Sequence, residues 1–232
     1  MLATTEQRPL EREEFRQAMV DAINAMRAED SRFYRLLKSG RCPKAIIRQY
    51  AEATVHSAER FCAFVSQLAQ QAPDPVSRLN LIENLLEEEG VSLVTSGLLH
   101  RPETAHPALA RRFARAVGAN ENPQVARHAV AEGWKMLENG EWVEAVAHLL
   151  VGQELHFADA APAIAEALEA AGIARHDVAF FWVHKTADRE HGEQALDIVL
   201  RHATTRDQQE RCIAEARRGA EAWMEAHGGR VN

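Results

Sequence analysis

The stretch FFWVHKTADREHGEQALDIV, residues 180–199, decides how the chain is read. An α-helix turns about 100° per residue, so Asp188 falls about 40° to one side of His184 and His191 about 20° to the other. The three side chains therefore share a stripe roughly 60° wide. Phe180, Phe181, Ala195 and Val199 lie on or beside that stripe, which turns it inward. Two imidazoles and a carboxylate buried against aromatics cost on the order of several kcal/mol unless they are paired or hold a cation. A metal ion removes that cost. A hydrogen-bonded His–Asp–His core cluster and a solvated polar face are the simpler accounts of the same spacing.

Outward from this segment the chain reads as helix throughout. Ala, Leu, Glu and Arg dominate, and alternating β-branched runs are nearly absent. The periodicity predicts helices at 9–28, 43–71, 75–89, 106–117, 123–138, 141–171, 176–203 and 205–227, with a short turn near 31–38. Pro73 and Pro75 separate two of them, and Gly118, Gly140 and Gly172 follow helical runs as C-terminal caps do. The least regular stretch, GVSLVTSGLLHRPETA at 90–105, is expected to form a lid or a short extra helix. These signals predict an all-α fold with no sheet: one compact bundle of seven to eight helices spanning residues 1–232, with its core over about 9–227.

Composition narrows the function. The 232 residues suffice to bury a core, and the formal net charge of −7 argues against nucleic acid or an anionic membrane as partner. The N-terminal stretch lacks the basic and apolar regions of a signal peptide, and no apolar run is long enough to span a bilayer, so a cytoplasmic protein is expected. Cys42, Cys62 and Cys212 form no CxxC pair and read as inert thiols rather than zinc ligands or a disulfide framework.

Three segments could complete a site with the 184–191 stripe. In ENLLEEEG (83–90), Leu81, Leu85 and Glu88 follow a 4, 3 spacing, so the apolar stripe runs into Glu88 rather than Glu87 or Glu89. In HPALARRFARAVG (106–118), His106 opens an amphipathic helix; His100, just before it, competes for the same role. In HLLVGQELHF (148–157), Glu154 stands among apolar neighbours, where a carboxylate needs a cation or takes a raised pKa. His148 and His156 flank it and read as supporting residues. Glu52, His56 and Glu59 share a further stripe, so Glu59 is either an additional ligand or one partner of a salt bridge.

These motifs, in this order, resemble the haem-oxygenase-like di-iron oxidases and oxygenases, relatives of pyrroloquinoline-quinone synthase and thiaminase II. The resemblance runs from about residue 31 to about residue 203. It implies a seven-helix bundle holding two irons, with Glu88, His106, Glu154, His184, Asp188 and His191 as ligands and the catalytic work centred on Glu88, Glu154 and Asp188. Two features depart from the pattern: the long insertion between Gly90 and His106, and Ser31-Arg32 where quinone-synthase relatives carry His-Pro. Two ferrous ions balance the ligand charges to a small positive excess, suited to binding O2, and the oxygen and nitrogen donors suit iron, with manganese also possible. The function implied is O2-dependent oxidation of a small organic substrate such as an amino acid derivative or a fatty acid, in a cytoplasmic enzyme for which the family leads one to expect a homodimer. The alternatives are a metal-free oxidase of the quinone-synthase type, a thiaminase-like hydrolase using Cys62, and a non-enzymatic helical interaction protein. Tyr50, His56, Glu59, Phe61 and Trp182 are expected around the pocket.

Overall fold

Helix boundaries follow the capping signals of the sequence. Asp74 accepts hydrogen bonds from the backbone nitrogens of Val76 and Ser77 at 2.9 and 3.0 Å, and Pro75 occupies the first turn behind it. Ser31 caps the short helix that follows it by accepting from the Tyr34 nitrogen, which gives this residue a structural reason of its own. The computed structural model describes residues 8–27, 30–94, 97–123, 135–138 and 140–226. In these, α1 spans Arg12–Asn24, α2 Arg32–Lys38, α3 Lys44–Gln71, α4 Pro75–Glu88 and α5 His106–Ala116. Then come α6 (Trp142–Val146), a π-helical segment (Ala147–Gly152), α7 (Gln153–Ala170), α8 (Ala179–His202) and α9 (Arg206–Ala226). The helix expected at 123–138 falls mostly outside the described residues; 135–138 are helical.

Two expectations are corrected. The stretch after Gly90 is neither a lid helix nor free of sheet: β1 (Val91–Val94) pairs antiparallel with β2 (Gly97–His100), Val91 opposite His100 and Val94 opposite Gly97. Val91, Val94 and the Leu-rich second half suit extended backbone, and Gly97 takes φ +128°, which residues with a Cβ avoid. The second correction lies in 141–171, expected as one regular helix. The chain widens there into the π segment, which gives one turn an extra residue.

That segment is clamped to α9 by backbone contact. A Cβ on Gly152 would stand 2.3 Å from the Ala216 carbonyl oxygen, and one on Gly219 would stand 2.0 Å from the His148 carbonyl oxygen. His148 Nδ1 bonds the Glu215 carboxylate at 3.0 Å across the same crossing, and Arg218 pairs with the other Glu215 oxygen.

The core comprises two apolar clusters. One gathers Phe15, Met19, Leu68, Leu149, Leu196 and Val199; the other gathers Phe33, Tyr50, Phe113, Ile164, Val178 and Phe181. Helix α8 contributes to both, with Phe180 and Phe181 in the second and Ala195, Leu196, Ile198 and Val199 in the first. The stripe of His184, Asp188 and His191 therefore lies at the seam between them. Among the described residues, no helix is long and apolar enough to cross a membrane.

Gly219→Ala tests the crossing. The new methyl meets main chain rather than a flexible side chain, so the variant is expected to lose about 1–3 kcal/mol in urea unfolding, the usual cost of overpacking. An unchanged midpoint would show that the two helices can separate freely.

Candidate metal centre

All six residues singled out in the sequence are buried: Glu88 2%, His106 3%, Glu154 3%, His184 6%, Asp188 2% and His191 5% exposed. Donor atoms of Glu88, His106 and His184 lie within 4.8 Å of one another, and so do those of Glu88, Asp188 and His191. Glu88 belongs to both groups. Glu154 falls outside both triads but lines the same cavity as Glu88, His184 and Asp188.

Local packing explains each placement. Gly192, beside His191, lets α7 approach α8: a Cβ there would stand 2.6 Å from the Leu155 side chain and 3.2 Å from its backbone nitrogen. The neighbour of Leu155 is Glu154. On α4, Gly90 ends the helix two residues after Glu88 with φ +71°, and its carbonyl accepts from the Arg101 nitrogen at 2.8 Å. That bond closes the base of the hairpin, so the long insertion adds no separation at its root. His106 then begins α5 beside Glu88, its Nδ1 2.8 Å from a Glu88 oxygen. His100 is exposed on β2, whereas His106 belongs to the buried cluster.

Hydrogen bonds from neighbouring residues orient the side chains of the cluster. Phe180 offers only a carbonyl to His184 Nδ1 at 2.5 Å, so Nδ1 carries the hydrogen and the Nε2 lone pair is free, 3.9 Å from Asp188 Oδ1. His191 Nε2 bonds Glu87 at 3.1 Å, and Asn84 donates to Glu154 Oε1 at 2.8 Å. Sequence reasoning missed Glu87 and Asn84. Asn84 had a signal, since it precedes Glu88 by four residues on the same helical face; Glu87 is half exposed and had none.

Burial shapes the protonation. It pushes Glu154 up to about 8, against the pull of His191 and the Asn84 hydrogen bond. Asp188 is driven far above the carboxylate range by burial and then by the charge of Glu154. Desolvation holds His184 well below the imidazole range, reinforced by His106. Desolvation also pulls at His191, but the bond to Glu87 and the charge of Glu154 outweigh it and raise it to about 9.

Iron fits this donor set. Three buried polar atoms of these six residues have no hydrogen-bond partner: Glu154 Oε2, His106 Nδ1 and His191 Nδ1. His106 Nδ1 is close to Glu88 yet not aligned with it as a hydrogen bond, as two ligands of a common cation would be. Carboxylate oxygens with imidazole nitrogens, and no thiolate, suit iron or manganese. Cys62 is buried and raised by desolvation and then by Glu88, so it stays a thiol and makes a poor nucleophile.

The cavity above the cluster, about 790 Å³ including its open mouth, is walled by Phe61, Phe64, Phe157, Phe180 and Trp223. Phe61 is the one expected wall residue found there. Tyr50 stacks on Phe33 at 3.8 Å in the core, Trp182 bonds Glu169, and Glu59 pairs with Arg111, a salt bridge rather than a ligand. His56 lies on α3 outside the cavity lining.

Comparison with known proteins agrees with the fold. Residues 46–224 match the family described as "Iron-containing redox enzyme", and the chain belongs to it. Among solved structures, a TenA homolog from Pseudomonas syringae pv. tomato str. DC3000 is 14% identical, with a TM-score of 0.72 and coverage of 96% of each chain. A domain of unknown function with a heme oxygenase-like fold from Shewanella denitrificans OS217 is 12% identical, with a TM-score of 0.67, covering 94% of this chain and 90% of that one. The fold is thus haem-oxygenase-like. No curated protein matches the sequence.

Two outcomes follow. Gly90→Ala forces a Cβ into a left-handed backbone position, 2.5 Å from the Arg101 carbonyl oxygen. It is expected to cost about 1–3 kcal/mol and to lower metal uptake by displacing His106; unaltered stability and uptake would refute this role for the closure. The second outcome concerns pH. A group whose pKa is raised by folding stabilises fully below its unfolded value, and that contribution fades as pH climbs through the folded value. Glu154 and Asp188, acids with raised pKa, and His191 at about 9 all act this way. His184, lowered, acts oppositely but only below about pH 6.5. The Tm of chelator-treated protein should therefore fall between about pH 6.5 and 9. A Tm rising across that range would contradict this proton inventory.

Proposed function

We propose that the chain is a non-haem di-iron oxidase or oxygenase that uses O2 to oxidise a small organic substrate. The observation that carries this reading is Glu88, shared between two buried triads. Glu88, His106 and His184 would hold one ion; Glu88, Asp188 and His191 would hold the other, with Glu154 and its unpartnered oxygen close by. Iron bound there supplies the capacity to reduce O2.

The chain's own residues do the rest. Phe157 and Phe180, with ring centroids 4.9 and 4.2 Å from that of His184, keep bulk water from the histidine side of the cluster. Phe180 also fixes the His184 tautomer through its carbonyl. Glu87 holds His191 from the rim, and Asn84 holds Glu154 from behind. Glu154, with a pKa of about 8 when no cation is present, can give up or take a proton near neutral pH. The cavity admits a small molecule to within reach of Glu154 and Asp188.

Anaerobic loading with Fe(II), followed by metal analysis, tests the reading. Wild type should retain two irons per chain and consume O2 faster than the same Fe(II) in buffer. Asp188→Ala should fold, bind less iron and lose that O2 consumption, since one ligand and one charge disappear from a stripe whose helix is otherwise intact. Full iron binding and full O2 consumption by Asp188→Ala would falsify the di-iron assignment. Persistent O2 consumption by chelator-treated wild type with a substrate would favour the metal-free oxidase instead.

A further inference from the structure

The cavity has a charge axis whose basic end the metal centre does not use. Its acidic lining residues, Glu88, Glu154 and Asp188, are buried at the floor. Arg60 of α3 also lines it and is exposed, which puts it at the mouth. Between them the walls are aromatic. Among the described residues, no carboxylate pairs with Arg60. Glu59, next in the chain, is engaged by Arg111 of α5, and the residues one helical turn away from Arg60 are His56, Ser57, Ala63 and Phe64. Many other arginines of this acidic chain are neutralised, as in the pairs Arg12–Asp197, Arg115–Glu121 and Arg206–Glu210. A guanidinium left without a carboxylate at the entrance of an apolar cavity is placed for an anion from outside.

We propose that Arg60 receives the carboxylate of a monoanionic substrate whose apolar body lies along the aromatic walls with its far end toward the buried cluster. One cation faces the cavity mouth, which matches one negative charge, and the planar guanidinium fork matches a carboxylate. A phosphate monoester brings about two negative charges at neutral pH and lacks a second cation here. The claim that the far end is where oxidation occurs rests on the di-iron reading; the claim that Arg60 selects a carboxylate does not. Arg60 is a positioning residue, acting on the substrate end remote from the chemistry.

The test uses the full chain after chelator treatment, titrated calorimetrically with octanoate, octanol and octyl phosphate. Wild type should bind octanoate about tenfold tighter than octanol, the size expected for a partly desolvated ion pair. Arg60→Gln should lose that preference while binding octanol as wild type does, and Arg60→Lys should recover part of it. Equal binding of octanoate and octanol by wild type overturns the proposal. So does a preference retained in Arg60→Gln, a loss of octanol binding in Arg60→Gln, which marks a structural role, or tighter binding of octyl phosphate than octanoate. Iron stoichiometry is a separate readout on loaded protein. A wild type that holds no iron yet keeps the octanoate preference sinks the metal reading and leaves the carboxylate site standing.

Discussion

The structure depends on one electrostatic constraint: three carboxylates and three imidazoles must be buried together between two apolar clusters. Charges taken out of water cost several kcal/mol each, on the order of what the whole fold has to spare. In the metal-free chain the constraint is met with protons. Glu154 and Asp188 have raised pKa values, and His191 carries positive charge among the acids. A pair of divalent cations would meet the same constraint by replacing those protons, which would couple metal affinity to pH.

The supporting contacts make sense in this light. Carboxylates and imidazoles crowded without direction would rearrange to pair among themselves. Here Phe180, Glu87 and Asn84 each hold one atom of a cluster side chain and leave its other polar atom unengaged by them. Gly192 and Gly90 do the same at the level of main chain, bringing α7 against α8 and α5 beside the end of α4. Pre-organisation of this kind keeps apo side chains near ligand geometry.

Much of this was legible in the sequence because it follows from helical phase. His184, Asp188 and His191 share a face by arithmetic, and Glu88 lies on its helix's apolar stripe. Glu154 stands among apolar neighbours that no solvated carboxylate would choose. What was not legible depends on contacts distant in the chain. The choice of His106 over His100 turns on the bond between Gly90 and Arg101, which shuts the hairpin at its root. Glu87 reaches His191 across 104 positions. Glu59 reads either as a ligand or as a salt-bridge partner until Arg111, on another helix, pairs with it. The hairpin itself was hidden because its two strands are four residues each, too short for alternation to stand out. The π segment has no local signature, since its residues are ordinary helix formers.

That π segment bears on how this chain can change length. A wide turn arises when one residue is added to an α-helix and absorbed on the spot, so both flanks keep their faces. Ala147–Gly152 thus lets Glu144, paired with Arg211 of α9, and Glu154, in the cluster, point in their separate directions from one continuous rod. Removing a single residue between His148 and Gly152 would let the turn tighten to ordinary α geometry with both flanks still in phase. The same deletion inside Gln153–Ala170 would swing everything beyond it through about 100°. A change of length in this helix is therefore absorbed most readily in the π segment, just upstream of Glu154.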